Sequence, residues 1–436
     1  MKNRLLLILY IIVLCCPLYA QLSLDSCLKL AVQNNKQLRV TQLEIEKAKL
    51  VKAQALTKYF PQVKAVSGGF YALNPMFIYG IQNIENADIR AILQQWFDSY
   101  GYEAGVKSEL ELFKKGIGAS VSALQPIYAG GQIYNGNRLA KLSIEAQQLQ
   151  ADIAKREMLE QVESTYWLLY SLILKQQTLT SACALLDTLD TNISIAQKAG
   201  LALAGDNLKL QFRRNELENK RLQLSNGITL AGQALAQLIG TDSVSIDTTS
   251  VHIDTIGMVA TAGEREELRL LELQLTAAKL TKLIDLGKAL PQVAAGAAYT
   301  YSNLVGQNRH NGLVFFTVQI PLTQWWETSH KLKEHDINIR QAELRQQYLS
   351  EQLELQDRQN LFTLAEAADR LQRCQSGIAL AQENYRVTKV NYDAGLQTMS
   401  ELLESQTMLL EARNQQVDIF ISYCIALRKC RALPTM

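Results

Sequence analysis

Residues 37–63, QLRVTQLEIEKAKLVKAQALTKYFPQV, align without a gap to residues 267–293, ELRLLELQLTAAKLTKLIDLGKALPQV. Twelve of the 27 positions are identical, the closing Pro-Gln-Val included. A second register, at an offset of 195, pairs Pro126 with Pro321 and Ala199-Gly200-Leu201 with Ala394-Gly395-Leu396. It also pairs Leu208 with Leu403, Glu216 with Glu411 and Asn219 with Asn414. Landmarks recurring in one ungapped register mark a duplicated chain. The first offset is 230, so 35 extra residues lie between Val63 and Pro126. The two halves run over 21–240 and 263–436, joined by a linker at 241–262 whose Val/Ile/Thr alternation admits a small strand.

The chain of 436 residues holds only 7 prolines, against an average usage of about 5%. Pro61, Pro126, Pro291 and Pro321 fall at equivalent places in the two halves and read as helix–strand junctions. No proline lies between Pro126 and Pro291, or between Pro321 and Pro434. An interior proline costs a helix about 3 kcal/mol, so these stretches can hold long helices. In 131–198, Leu142, Leu149, Ile153, Val162, Tyr166, Leu169 and Ile173 recur at helical spacing, and 325–393 is similar. A helix of about 68 residues spans roughly 100 Å. Each long helix is expected to turn at glycine, near Gly200 and Gly395, and to be matched by two shorter ones drawn from 23–60, 206–239, 264–289 and 399–431. Ser23 and Asp25 are candidate caps for the first of these.

Between the helices the period changes from 3.6 to 2. Val293, Ala295, Ala297, Tyr299 and Tyr301 alternate with small or polar residues, as do Val314, Phe316, Val318 and Ile320, and Ile117, Ala119, Val121 and Ala123. Strands are expected at about 62–72, 116–127, 292–303 and 312–322, the first being the weakest. Strands of about ten residues with one apolar face suit a transmembrane barrel, and a soluble sheet packed on helices is the other reading. Tyr59, Phe60, Tyr128, Trp325 and Trp326 gather at one end of the strands and Tyr301 at the other, as interface girdles do. Four strands cannot close a membrane barrel, and an open edge cannot face hydrocarbon. Several chains must therefore combine, and three would supply twelve strands.

Compartment follows from the first twenty residues. Lys2 and Arg4 precede an apolar run from Leu5 to Leu14, and Leu18-Tyr19-Ala20 precedes Gln21, so 1–20 is expected to be an export signal. Ten apolar residues are too few for a membrane anchor, and no later run reaches the length of a spanning helix. Lipidation at Cys15 or Cys16 is a weaker option, since no good small-residue lipobox precedes either. The remaining Cys27, Cys183, Cys374, Cys424 and Cys430 are dispersed, without CxxC spacing, and read as packing residues.

The net charge of +2 supplies no field for nucleic acid. The four histidines, His252, His310, His330 and His335, lack zinc spacing, and His330 and His335 read as solvated helix residues. No phosphate-binding loop or nucleophile elbow is present, so neither enzyme chemistry, cofactor nor metal is expected.

The layout resembles the TolC-like outer-membrane efflux proteins over essentially the whole mature chain. The resemblance is carried by Leu24-Asp25-Ser26-Cys27-Leu28 through Ala31 and Asn34-Asn35, by Gly130-Gly131, by Leu290-Pro291-Gln292-Val293 and by Ile320-Pro321-Leu322. The most specific stretch is Tyr392-Asp393-Ala394-Gly395-Leu396, followed by Glu401-Leu402-Leu403-Glu404-Ser405-Gln406. It implies a mainly α fold with a four-stranded β contribution: a duplicated coiled-coil barrel, with a transmembrane β-barrel completed by trimerisation. The implied molecule is a homotrimeric outer-membrane duct with a periplasmic extension, docked to a periplasmic adaptor and an inner-membrane transporter for efflux or type I export. A periplasmic coiled-coil scaffold without a pore is the alternative.

The resemblance also implies a constriction at the periplasmic tip, matched here by Glu401 and Glu404, which share a helix face at i and i+3. A carboxylate ring favours cations, and a plain solvated acidic face is the bland reading. Asp206 matches a tip aspartate of the first half, where the family can form interchain links that hold the duct shut. Gln397 replaces a basic residue usual in some members, so that salt bridge is missing. Asp206 with Lys209 or with Tyr392 remains as the latch. The 72–115 excursion, with ADIRAILQQWFDSYGYEAG at 87–105, is a departure that admits a short helix acting as plug, lid or partner site.

Overall fold

Long helices occupy much of the proline-free stretches in the computed structural model, which describes residues 22–74, 77–96, 98, 109–112, 115–198, 204–246, 248, 265–303 and 307–431. Residues 1–20, Gly200, His252 and most of the 241–262 linker lie outside the described residues. Eight helices follow the chain among them: α1 (Leu24–Asn34), α2 (Lys36–Thr57), α3 (Ala87–Trp96), α4 (Gln132–Lys198), α5 (Ala204–Ile239), α6 (Glu266–Lys288), α7 (Gln324–Asp393) and α8 (Met399–Arg431). Six strands accompany them: β1 (Gln62–Tyr71), β2 (Phe77–Gly80), β3 (Glu109–Leu112), β4 (Lys115–Ala129), β5 (Gln292–Asn303) and β6 (Arg309–Gln319). The chain divides into two compact units, one made of the chain up to Ile45 with Ala146–Glu272 and Glu343–Met436, the other of Glu46–Glu145 and Leu273–Ala342.

In the first unit the single helix expected over 23–60 is broken at Asn35, whose backbone is extended. The Asn35 side-chain oxygen accepts from the N–H groups of Gln37 at 2.8 Å and Leu38 at 3.2 Å, and so starts α2. Its amide donates to the Leu238 carbonyl at 2.9 Å, and Asn34 donates to that of Ile239 at 3.4 Å. The two asparagines thereby satisfy carbonyls that the last turn of α5 leaves without helical partners. Gly240 ends α5 at φ +72°, and a Cβ there would lie 2.6 Å from that of Asn34. Ser23 caps α1 by accepting from the Ser26 N–H at 3.3 Å, whereas Asp25 sits inside the first turn.

Two buried clusters fill this unit. One gathers Cys27 and Ala31 of α1, Val162, Tyr166, Trp167 and Tyr170 of α4, Leu235 and Ile239 of α5, and Cys424 of α8. Trp167 is edge-on to Tyr166, Tyr170 and Phe420, at centroid distances of 5.5, 5.6 and 6.2 Å. The other gathers Leu179, Leu186 and Ile193 with Leu210, Leu217, Met399, Leu402 and Leu410. Leu210, Leu217, Leu224, Ala231 and Leu238 recur every seven residues in α5, as do Leu403, Leu410, Val417 and Cys424 in α8, all packed in or against these clusters. This is coiled-coil spacing. Of the linker's expected strand, the described part is a single parallel bridge between Leu22 and Ile246.

The second unit holds an antiparallel sheet in the order β1-β4-β5-β6. Pro126, expected at a helix–strand junction, lies inside β4, where the register with β5 shifts between Pro126 and Tyr128. A proline without an N–H is accommodated at such a bulge, and the strand continues to Ala129. Pro61 and Pro291 immediately precede β1 and β5. β6 runs over Arg309–Gln319, earlier than the expected 312–322, and ends before Pro321. Gly130 and Gly131 turn the chain from β4 into α4 at φ +60° and +77°.

The 72–115 excursion leaves the sheet at the strand ends away from Pro61 and Pro291. It contains the β2–β3 pair and α3, whose start is capped by the Asn86 side chain accepting from Asp88 N–H at 3.0 Å. No helix among the described residues is long and apolar enough to cross a membrane.

Candidate functional site

At the α7–α8 turn, the Leu396 N–H donates to the Asn391 carbonyl at 2.8 Å and the Gly395 N–H to that of Tyr392 at 2.9 Å. With Gly395 at φ +73°, this is a Schellman closure, and it needs a residue free to take the left-handed conformation. Thr398 then opens α8. Its hydroxyl accepts from the Glu401 N–H at 3.3 Å, while the Glu401 carboxylate accepts from the Thr398 N–H at 2.7 Å and its hydroxyl at 2.9 Å. The pair forms a capping box. Bonding to the Thr398 backbone and then to its hydroxyl holds the Glu401 carboxyl below the usual range.

The helix face is set by what it buries. Met399, Leu402, Ser405 and Gln406 turn inward, and Glu401 and Glu404 are exposed. The structure thus brings both carboxylates to the solvent side of one helical turn, with Glu401 already engaged as a cap. The Thr-x-x-Glu spacing was legible in the sequence.

Asp206 lies in the first turn of α5, with Lys209 Nζ 3.8 Å from its carboxylate. That pair is internal to one helix and cannot itself join α5 to another. Tyr392 is half-buried; burial first, then the nearby Asp206 and Asp393, raise its phenol above the ordinary value. No hydrogen bond joins Tyr392 to Asp206 among the described residues. The side-chain oxygens of Gln397 and Asn207 and the Tyr385 hydroxyl are buried without a hydrogen-bond partner.

A residue not singled out from the sequence links α5 to α8. Arg213, 8% exposed, pairs with Glu216 and donates to the Thr407 hydroxyl at 2.7 Å. Gln406 donates to the Ala182 carbonyl at 3.1 Å and ties α8 to α4. Only spatial proximity pairs Arg213 with Thr407, which are 194 residues apart. Leu208, Lys209, Phe212, Arg213, Ser400 and Leu403 line an open groove of about 390 Å³ on this tip.

In the other unit, strand register assigns the faces of the sheet. Rows such as Ala65–Val121–Tyr299–Gly312 and Ala123–Ala297–Val314 share one face. There Ile117 is 62% exposed, Val314 79% and Phe316 74%. The opposite face carries Gln62, Lys64, Ser120, Ser122, Thr300, Ser302, Thr317 and Gln319, with Val66, Leu124, Leu313 and Phe315 among them. In the described sheet β1 pairs only with β4 and β6 only with β5, so both edges are open. Trp325, Trp326 and Phe60 are exposed beside the end where helices enter.

His335, expected to be solvated, instead pairs with Asp285 at 2.7 Å and is 17% exposed. Lys288 first, then His335, hold the Asp285 carboxyl below its usual range. No cluster of metal-ligating side chains occurs among the described residues.

Solved structures superpose over nearly the whole chain. The CusC transmembrane channel aligns at 12% identity with a TM-score of 0.76, covering 95% of this chain and 93% of that one. The outer membrane protein VceC of Vibrio cholerae aligns at 15% identity and a TM-score of 0.73, covering 95% and 97%. The CmeC outer membrane channel of Campylobacter jejuni aligns at 14% and 0.74, covering 92% and 83%. No protein-family model and no curated protein matches the chain by sequence. The chain has the fold of these outer-membrane channels, the TolC-like architecture that its sequence motifs resemble.

Proposed function

We propose that this protein is the outer-membrane duct of an efflux or type I export assembly, functioning as a homotrimer. The observation that carries the reading is the sheet: large apolar side chains are exposed along one face, and both edges are unpaired. Such a face is stable against lipid, and hydrocarbon tolerates no open edge, so copies of the chain must close the barrel. Three copies give twelve strands around an aqueous lumen. The α7 helix supports the same assembly, because Leu344, Tyr348, Leu355, Phe362, Leu380 and Val387 are exposed at near-heptad spacing.

The helical tip is the periplasmic end. Glu401 and Glu404 line its constriction and favour cations there. The groove with exposed Leu208 and Phe212 is the docking surface for a periplasmic adaptor, which couples the duct to an inner-membrane transporter. The 21–240 and 263–436 halves are structural repeats of one ancestral unit, and 1–20 directs export.

Membrane fractionation with cysteine crosslinking between β1 and β6 tests the reading. A duct yields outer-membrane, heat-modifiable trimers linked edge to edge. A coiled-coil scaffold remains in the soluble periplasm, uncrosslinked, and that result ends the proposal.

A further inference from the structure

The four long strands contain Lys64, Lys115, Arg309 and His310, and no aspartate or glutamate. Register divides the cations between the faces. Lys64 pairs with Ser122 and Arg309 with Ser302, which places both on the small and polar face. Lys115 and His310 pair with Tyr71 and Tyr301 on the apolar face. Neither Lys64 nor Arg309 has an ion pair among the described residues. A cation without a counter-charge, on a face lacking carboxylates, projects a positive potential into the space it borders.

Lys64 also borders a trough of about 470 Å³, lined by Gln62, Ser122, Leu124, Phe315 and Thr317 among others. The trough lies over β5, where Ala294, Gly296 and Ala298 present almost no side chain. A Cβ on Gly296 would overlap the far end of the Phe315 ring, so the ring can reach over β5 because this residue is glycine. The lining therefore combines an ammonium, an amide and two hydroxyls with an aromatic ring and a leucine. That combination matches a solute with an anionic group on an apolar body.

We propose that this inner face of the sheet is a binding stretch for anionic amphiphiles such as aromatic sulfonates or carboxylates, with Lys64 holding the anion and Phe315 the apolar body. The inference rests on the duct reading, which makes this face the barrel lumen. It gives the barrel a charge preference opposite to that of the carboxylates at the helical tip, so that the two ends of the duct select differently.

The test is block of single-channel current by naphthalene-2-sulfonate added on the barrel side of the full mature protein in a planar bilayer. The half-blocking concentration is expected to rise about tenfold in Lys64→Gln and to be kept in Lys64→Arg. Phe315→Leu is expected to weaken block by the naphthalene probe and to leave block by methanesulfonate unaltered. Uncharged 2-naphthalenemethanol is expected to block weakly in every variant. Conducting pores with equal block in wild type and Lys64→Gln, or equal block by the uncharged probe, overturn this inference alone. A preparation with no conducting pores overturns the duct reading and this inference with it.

Discussion

Gly130 and Gly287 meet backbone to backbone: a Cβ on Gly130 would overlap the Gly287 carbonyl oxygen, and one on Gly287 would overlap that of Gly130. The contact seats the β4–α4 turn against the end of α6, and Gln132 adds a bond to the Gly287 carbonyl at 3.2 Å. Gly287→Ala is expected to destabilise the protein by about 1–3 kcal/mol through overpacking. Gly130→Ala adds the cost of a side chain at positive φ, about 1–2 kcal/mol. Gly131→Ala, which has room for a Cβ, carries only the second cost. Denaturant unfolding of the three variants should rank Gly130→Ala as the worst; equal stability of all three would show that the close approach is dispensable.

The two faces of the sheet should respond differently to charge. Val314→Arg places a cation on the apolar face proposed to meet lipid, where the cost near the bilayer midplane is about 2–4 kcal/mol, and trimer yield in the outer membrane should fall sharply. Thr317→Arg places the same charge on the opposite, polar face, proposed as the lumen, and should assemble normally. The yields are read from heat-modifiable bands, and the reverse ranking would invert the assignment of faces.

Arg213 should act as a brace between α5 and α8. Arg213→Ala removes the bond to the Thr407 hydroxyl, and single-channel conductance is expected to rise severalfold as the tip loosens. Thr407→Val removes only one partner and should give a smaller rise. Conductance equal to wild type in both would exclude the brace.

The Glu401 carboxyl is held low by its bonds to Thr398, so its contribution to stability is present above the ordinary value of 4.5 and is lost as pH falls through the lowered one. Hydrogen exchange at residues 399–402 should therefore be slow and constant near neutral pH, after correction for intrinsic rates, and accelerate in Thr398→Ala. Glu401→Gln with Glu404→Gln should lower cation preference in bilayer recordings. Unchanged selectivity would leave Glu401 as a helix cap and nothing more.

Burial pushes the Cys27 thiol up to about 11 and the Cys424 thiol up to about 12. Neither should react with a thiolate-directed reagent at pH 8 in the native protein, and both should react in denaturant. Rapid native labelling of either, followed by mass spectrometry, would contradict the packing around α1 and α8.

Long helices and alternating strands were legible in the sequence because each rests on local periodicity and on proline exclusion. The break at Asn35 was not, since an asparagine that stops one helix and starts the next acts through carbonyls at Leu238 and Ile239, two hundred residues away. Pro126 misled for a related reason. A proline usually ends an element, and only its pairing with β5 reveals a bulge through which β4 continues. Glu401 was found as a charge on a helix face, but its role as a cap depends on where α8 begins.

What the amino-acid order determined by itself is the set of elements and their amphipathic faces, because backbone sterics and hydrophobic period act over a few residues. Tertiary structure alone decided which distant groups come together: Gly130 with Gly287, Arg213 with Thr407, Lys64 with Phe315 along one trough. Those contacts depend on strand register and helix packing, where a one-residue slip sends every side chain of a strand to the other face.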